Sequence, residues 1–150
     1  MDMGILTEPF EKSDVKTRKG PGGKMLSYID TPLVIERLNT AFAGDWSFRI
    51  VSHEITEVEV LVLGELEAGG VVKQQFGSKT RENNVPLGDT AKAAASDSVK
   101  KCATLLGIGL ELYVKDTNGH TENGNVSTGD RDGLTEAQRM LRERRRRQAA

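Results

Sequence analysis

Along the first 115 residues the spacing of hydrophobic positions changes from helical to alternating and back. Val34, Leu38, Ala41 and Phe42 recur at helical intervals behind Thr31 and Pro32, and Gly44 stands at the far end. A helix over 31–43 is expected, with Thr31 as N-cap and Pro32 in the first turn. The period then shortens to two. Trp46, Phe48 and Ile50 alternate with polar neighbours, Val58, Val60 and Val62 with acidic or aliphatic ones, and an extended run follows Gly69-Gly70. This predicts antiparallel strands near 46–56, 58–67 and 71–80, with Trp46, Phe48 and Ile50 turned to the core. After a loop carrying Asn83, Asn84, Pro86 and Gly88, the helical period returns. Asp89 is the expected N-cap of a helix reaching about Leu106, whose apolar face collects Ala91, Ala94, Ala95, Ser98, Cys102, Leu105 and Leu106. Lys100 falls opposite that face and Lys101 on its flank. Upstream, residues 1–15 show no sustained period, 16–24 read as a mobile basic loop, and Met25 to Ile29 as a short strand.

This order predicts an α+β fold, a three-stranded antiparallel β-meander packed with helices (a β-β-β-α core), contained in residues 1–115. Beyond it the pattern stops. From 116 to 150 the hydrophobic residues are Val126, Leu134, Ala137, Met140, Leu141, Ala149 and Ala150 alone. Residues 116–133, built from Asn, Gly, Thr, Ser and Asp, are expected to form a flexible linker. Residues 134–150 form a basic tail with the spacing of a short helix.

Composition narrows the function. The chain has a formal net charge of −1, which argues against binding a polyanion through bulk basicity. The charges are segregated, however. Lys12, Lys16, Arg18, Lys19 and Lys24 face only Asp14 between 12 and 24, whereas Glu54, Glu57, Glu59, Glu65 and Glu67 occupy 54–67 without a basic residue. One cysteine, Cys102, and two distant histidines, His53 and His120, give neither a disulfide nor metal-ligand spacing. No apolar run reaches membrane-spanning length and no signal pattern opens the chain, so a cytoplasmic protein is expected.

Gly20-Pro21-Gly22-Gly23-Lys24 invites a phosphate-loop reading, but Arg18 stands where that motif needs its first glycine and Met25 where it needs Ser or Thr. Cys102 lies on the apolar helix face, as a core cysteine does. Glu57, Glu59, Glu65 and Glu67 could converge on a cation in a metal-dependent nuclease, although a solvated acidic sheet face is the commoner arrangement. Tyr28 is different. An aromatic ring following Arg18, Lys19 and Lys24 suits a single strand, with bases on the ring and phosphates on the cations. Lys100 and Lys101 diverge around the helix and suit an extended polyanion better than a point charge.

Three stretches resemble the Rad-fifty-two family of single-strand annealing proteins, with its bacterial DNA-damage-response protein A and phage Sak-like branches. They are Arg18-Lys19-Gly20-Pro21-Gly22-Gly23-Lys24 leading to Tyr28-Ile29-Asp30, then Gly44-Asp45-Trp46-Ser47, and most specifically Ser96-Asp97-Ser98-Val99-Lys100-Lys101 continuing through Leu105-Leu106-Gly107 to Leu112-Tyr113. The resemblance spans 18–113. It implies that the core assembles into a homo-oligomeric ring with single-stranded DNA in an outer basic groove. DNA-binding positions would be Arg18, Lys19, Lys24, Tyr28, Lys100 and Lys101. The implied function is ATP-independent single-stranded DNA binding, with strand annealing or end protection, in repair and recombination. It implies no catalytic residue, metal or cofactor, a nucleoid-associated location, and a single-strand-binding protein or a recombinase as candidate partners. Two other readings fit parts of the pattern. A double-stranded RNA-binding module has the same α-β-β-β-α order but sets its lysines at the helix start, near Lys92. The nuclease would consume its substrate in a magnesium-dependent way.

Overall fold

The computed structural model describes residues 2–113. The linker 116–133 and the tail 134–150 fall outside them. In chain order the elements are α1 (Met3–Thr7), β1 (Lys16–Lys19), β2 (Met25–Tyr28), α2 (Thr31–Phe42), β3 (Trp46–Ile55), β4 (Glu59–Ala68), β5 (Val71–Thr80) and α3 (Leu87–Thr104). The expected β-meander is present as an antiparallel sheet in the order β3-β4-β5. A second, two-stranded sheet was not expected. The expected short strand from Met25 is β2, and residues 16–19, read as part of a loop, pair with it as β1, with Lys16 opposite Tyr28 and Arg18 opposite Leu26. All of β1 is exposed, so it carries no hydrophobic alternation, and its strand conformation comes from pairing with β2.

Several boundaries move for local reasons. Asp30, not Thr31, takes the extended N-cap conformation of α2. Pro86 takes that of α3, leaving Asp89 in the first turn, where its charge favours the helix N-terminus. Helix α3 ends at Thr104, so Leu105 leaves the helical wheel and is 48% exposed. In β3 the register with β4 shifts between Ile50 and Ser52. Trp46 and Phe48 stay packed on the core, while Ile50, just before that bulge, is 51% exposed.

The main core joins Leu6 of α1, Val34, Leu38 and Phe42 of α2, Leu66 of β4, and Cys102, Leu106, Ile108 and Leu112 at the end of α3 and beyond. The N-terminal segment is pinned to α2 by Arg37. Its guanidinium donates to the carbonyls of Ile5 (3.2 Å) and Glu8 and stacks 4.1 Å from the Phe10 ring.

Helix α3 packs on β4 and β5 through small side chains, the buried Ala94, Ser98 and Cys102. Opposite them stand glycines. A Cβ on Gly77 would lie 2.1 Å from the Ser98 nitrogen and 2.4 Å from the Ala94 oxygen. One on Gly64 would lie 2.2 Å from Ser98 Oγ and 2.3 Å from Phe48 Cζ. The helix therefore rests at backbone distance from the sheet. Ser98 Oγ donates to the Gln75 carbonyl (2.9 Å), satisfying the buried hydroxyl.

At Gly77 the obstructing atoms are backbone, so Gly77→Ala forces α3 off the sheet and should cost about 3 kcal/mol in urea unfolding. A loss below about 0.5 kcal/mol would show that the helix is not held this closely. Cys102 is fully buried, with its Sγ 3.6 Å from the Gly64 carbonyl, and burial pushes its pKa up. The thiol should remain protonated at neutral pH and react with an aromatic disulfide reagent only as fast as the protein opens. Rapid labelling of the native chain would contradict the core placement.

Candidate nucleic-acid interface

The hairpin β1-β2 stands opposite α3, and the space between them is a groove of ≈ 730 Å³ lined by Arg18, Lys19, Tyr28, Lys100 and Lys101 together with Ser78 and Lys79 from β5. Five of the six sequence-expected positions thus meet in one place, although 71 positions separate Ile29 from Lys100, whose Nζ donates to the Ile29 carbonyl at 3.4 Å. The sixth, Lys24, does not line this groove. It ends the hairpin turn, where its carbonyl accepts from the Gly20 N–H at 2.6 Å.

Each lysine of the α3 pair has its own tyrosine. Lys100 Nζ lies 5.8 Å from the centre of the Tyr28 ring, and Lys101 Nζ lies 5.1 Å from that of Tyr113 while donating to its hydroxyl at 2.9 Å. An aromatic face steadies an ammonium without neutralising it. Among the described residues no carboxylate lies within ion-pair distance of Arg18, Lys19, Lys100 or Lys101. The neighbouring cations are spent differently. Lys16 pairs with Asp30, which raises its pKa, and Lys79 pairs with Glu82 at 3.2 Å. The groove therefore holds four cations whose charge is free to act on a ligand.

Asp97 is the acidic residue on the groove wall. Its Oδ2 accepts from the Ser78 backbone N–H at 3.0 Å, fastening α3 to the outer strand β5. Neither Asp97 nor Tyr113 was singled out for the site from the sequence. Asp97 sits inside the Ser96-Asp97-Ser98 motif, which was a usable signal. Tyr113 meets Lys101 only because the chain turns back after α3, and no local spacing announces that.

The acidic stretch lies elsewhere. Glu59, Glu65 and Glu67 belong to β4. Arg49 Nε donates to Glu65 Oε1 at 2.7 Å and Gln74 Nε2 to its Oε2 at 2.6 Å, which lowers the Glu65 pKa. Among the described residues no three His, Cys, Asp or Glu side chains are grouped to hold a metal ion, and no helix is long and apolar enough to cross a membrane.

This geometry can hold a chain of phosphates along a row of cations with an aromatic ring at its centre. Over 104 residues the chain is 36% identical to the single-stranded DNA-binding protein DdrA of Deinococcus deserti, covering 68% of this chain and 48% of that one. Over 91 residues it is 37% identical to the protein of the same name from Deinococcus radiodurans, covering 59% and 40% respectively. The chain thus spans less than half the length of these curated relatives. The family model for the Rad52/22 family double-strand break repair protein matches residues 3–131, nearly the whole sequence, and the chain belongs to that family.

Proposed function

We propose that this protein binds single-stranded DNA along the groove between β1-β2 and α3 and, without ATP, anneals complementary strands or protects their ends during repair. The carrying observation is the convergence of Arg18, Lys19, Lys100 and Lys101 around Tyr28, with no carboxylate pairing among the described residues. Phosphates would sit on the cations, and bases would stack on or beside the ring with their pairing edges turned outward. Annealing by this route makes and breaks no covalent bond. The name that the two relatives share, single-stranded DNA-binding protein, supports the ligand class.

A single groove holds few phosphates, and a continuous path needs several subunits. Two features support a homo-oligomeric ring. Both β3 and β5 are sheet edges, and on the strands Ile50, Val51, Ile55, Val72 and Phe76 are each at least 45% exposed. Covering such edges and side chains between neighbouring copies removes an aggregation hazard. The basic tail 134–150, outside the described residues, is proposed to adjust DNA or partner binding. A single-strand-binding protein or a recombinase is the candidate partner, in a cytoplasmic, nucleoid-associated setting.

By fluorescence anisotropy, single strands should bind more tightly than duplex, with a log-log salt slope near −0.7 per phosphate neutralised. Lys100→Ala and Lys101→Ala should each weaken binding by about 1–2 kcal/mol, while helix stability is kept because Ala is the best helix former. Wild-type affinity in the double variant would remove the groove as the site. Light scattering on the full chain at micromolar concentration should show an oligomer. A monomer there would sink the ring.

A further inference from the structure

Beside the groove lies a second, smaller cleft of ≈ 130 Å³. The two share Arg18, Leu26, Tyr28, Asp97, Lys100 and Lys101, so the cleft opens where the phosphates would lie. Its inner lining changes character. Ile29, Val34, Ile108 and Leu112 are each at most 7% exposed and present only apolar side chains. A phosphate pressed against these four side chains would lose its hydration without gaining a partner from them, whereas the flat face of a base loses little. Size sharpens the choice, because an apolar cavity of about 150 Å³ is known to admit benzene. A space of ≈ 130 Å³ is on the scale of one six-membered ring and small for a fused pair.

We propose that this cleft receives one pyrimidine base of the bound strand per subunit, an assignment that rests on the groove holding single-stranded DNA. The wall is built before any ligand arrives. Phe10, which lines the cleft, is held by its backbone N–H donating to Glu111 Oε1 at 3.1 Å and by the Arg37 guanidinium on its ring. A preformed wall loses little entropy on binding. A duplex has no unpaired base to insert, so the cleft adds selection for single strands that cations alone cannot supply. One inserted base per subunit is withheld from pairing while its neighbours remain outside, and annealing is left possible.

Thr104 lines the cleft, with its hydroxyl donating to the Lys100 carbonyl at 2.9 Å, and Thr104→Phe would fill the space while every groove cation is kept. Full-length wild-type protein should bind oligothymidylate about tenfold or more tightly than an abasic strand of equal length, and more tightly than oligodeoxyadenylate. Thr104→Phe should bind the abasic strand as the wild type does and lose most of both preferences, while Thr104→Val keeps them. Equal wild-type affinity for thymidylate and abasic strands, or preferences that survive Thr104→Phe, would overturn the cleft and leave the groove standing. Failure to bind either strand would remove the groove reading and the cleft with it. If Thr104→Phe does not fold, photocrosslinking of wild-type protein to 5-iododeoxyuridine strands decides: adducts on Phe10 or Tyr113 are expected, and adducts confined to residues 18–24 overturn the assignment.

Discussion

Everything at the proposed interface depends on how closely α3 lies against the sheet. Gly64 and Gly77 remove the Cβ atoms that would hold it off, and Ala94, Ser98 and Cys102 answer with small side chains. Such contact gives up hydrophobic area, since Ala and Ser bury less than Leu. It gains a fixed rotation of the helix about its axis. Ser98 Oγ on the Gln75 carbonyl and Asp97 on the Ser78 N–H are adjacent anchors on adjacent faces, and together they leave Lys100 and Lys101 directed at the hairpin. Lysine is a flexible residue with about 2 kcal/mol of rotamer entropy. Setting its backbone rigidly, and its ammonium against a tyrosine, is how the fold limits that cost.

Charge is organised by the same scaffold. The chain is nearly neutral overall, so the groove must concentrate what positive charge there is. It does so by subtraction as much as by addition: Lys16 and Lys79 are neutralised by Asp30 and Glu82, and Glu65 is occupied by Arg49 and Gln74 on β4. At the groove itself Arg18, Lys19, Lys100 and Lys101 keep their charge, with Asp97 the acidic residue on the wall and the Glu59, Glu65 and Glu67 carboxylates set apart on β4. A polyanion approaching such a surface is oriented before it makes contact.

Much of this was legible in the sequence because periodicity is a record of burial. Helix α2 and strands β3, β4 and β5 lie within a residue or two of their expected bounds, for α2 and β4 carry buried residues at regular intervals, alternate residues of β5 are partly covered, and Trp46 and Phe48 anchor the start of β3. Strand β1 was invisible for the converse reason, since Lys16–Lys19 buries nothing. Leu105 and Ile50 were misassigned where a regular period was extended past a helix end and up to a bulge. The groove cations were recognisable as residue types near an aromatic and a glycine turn. Their convergence was not, because it depends on the fold laying the hairpin against α3. The same holds for the second cleft, whose walls come from Phe10, α2 and the turns after α3.

The glycine seat beneath α3 also limits how this sequence can drift. Positions 64, 77, 94 and 98 form one steric unit, in which a methyl added at 77 meets backbone and cannot be offset by trimming a neighbour, Ala94 being already near the minimum. Substitutions there are coupled and not additive. A lineage could exchange the lysines or rebuild the hairpin one step at a time, yet leaving this seat requires several simultaneous changes. The groove is therefore evolutionarily adjustable in its chemistry while its geometry is held by residues that carry none.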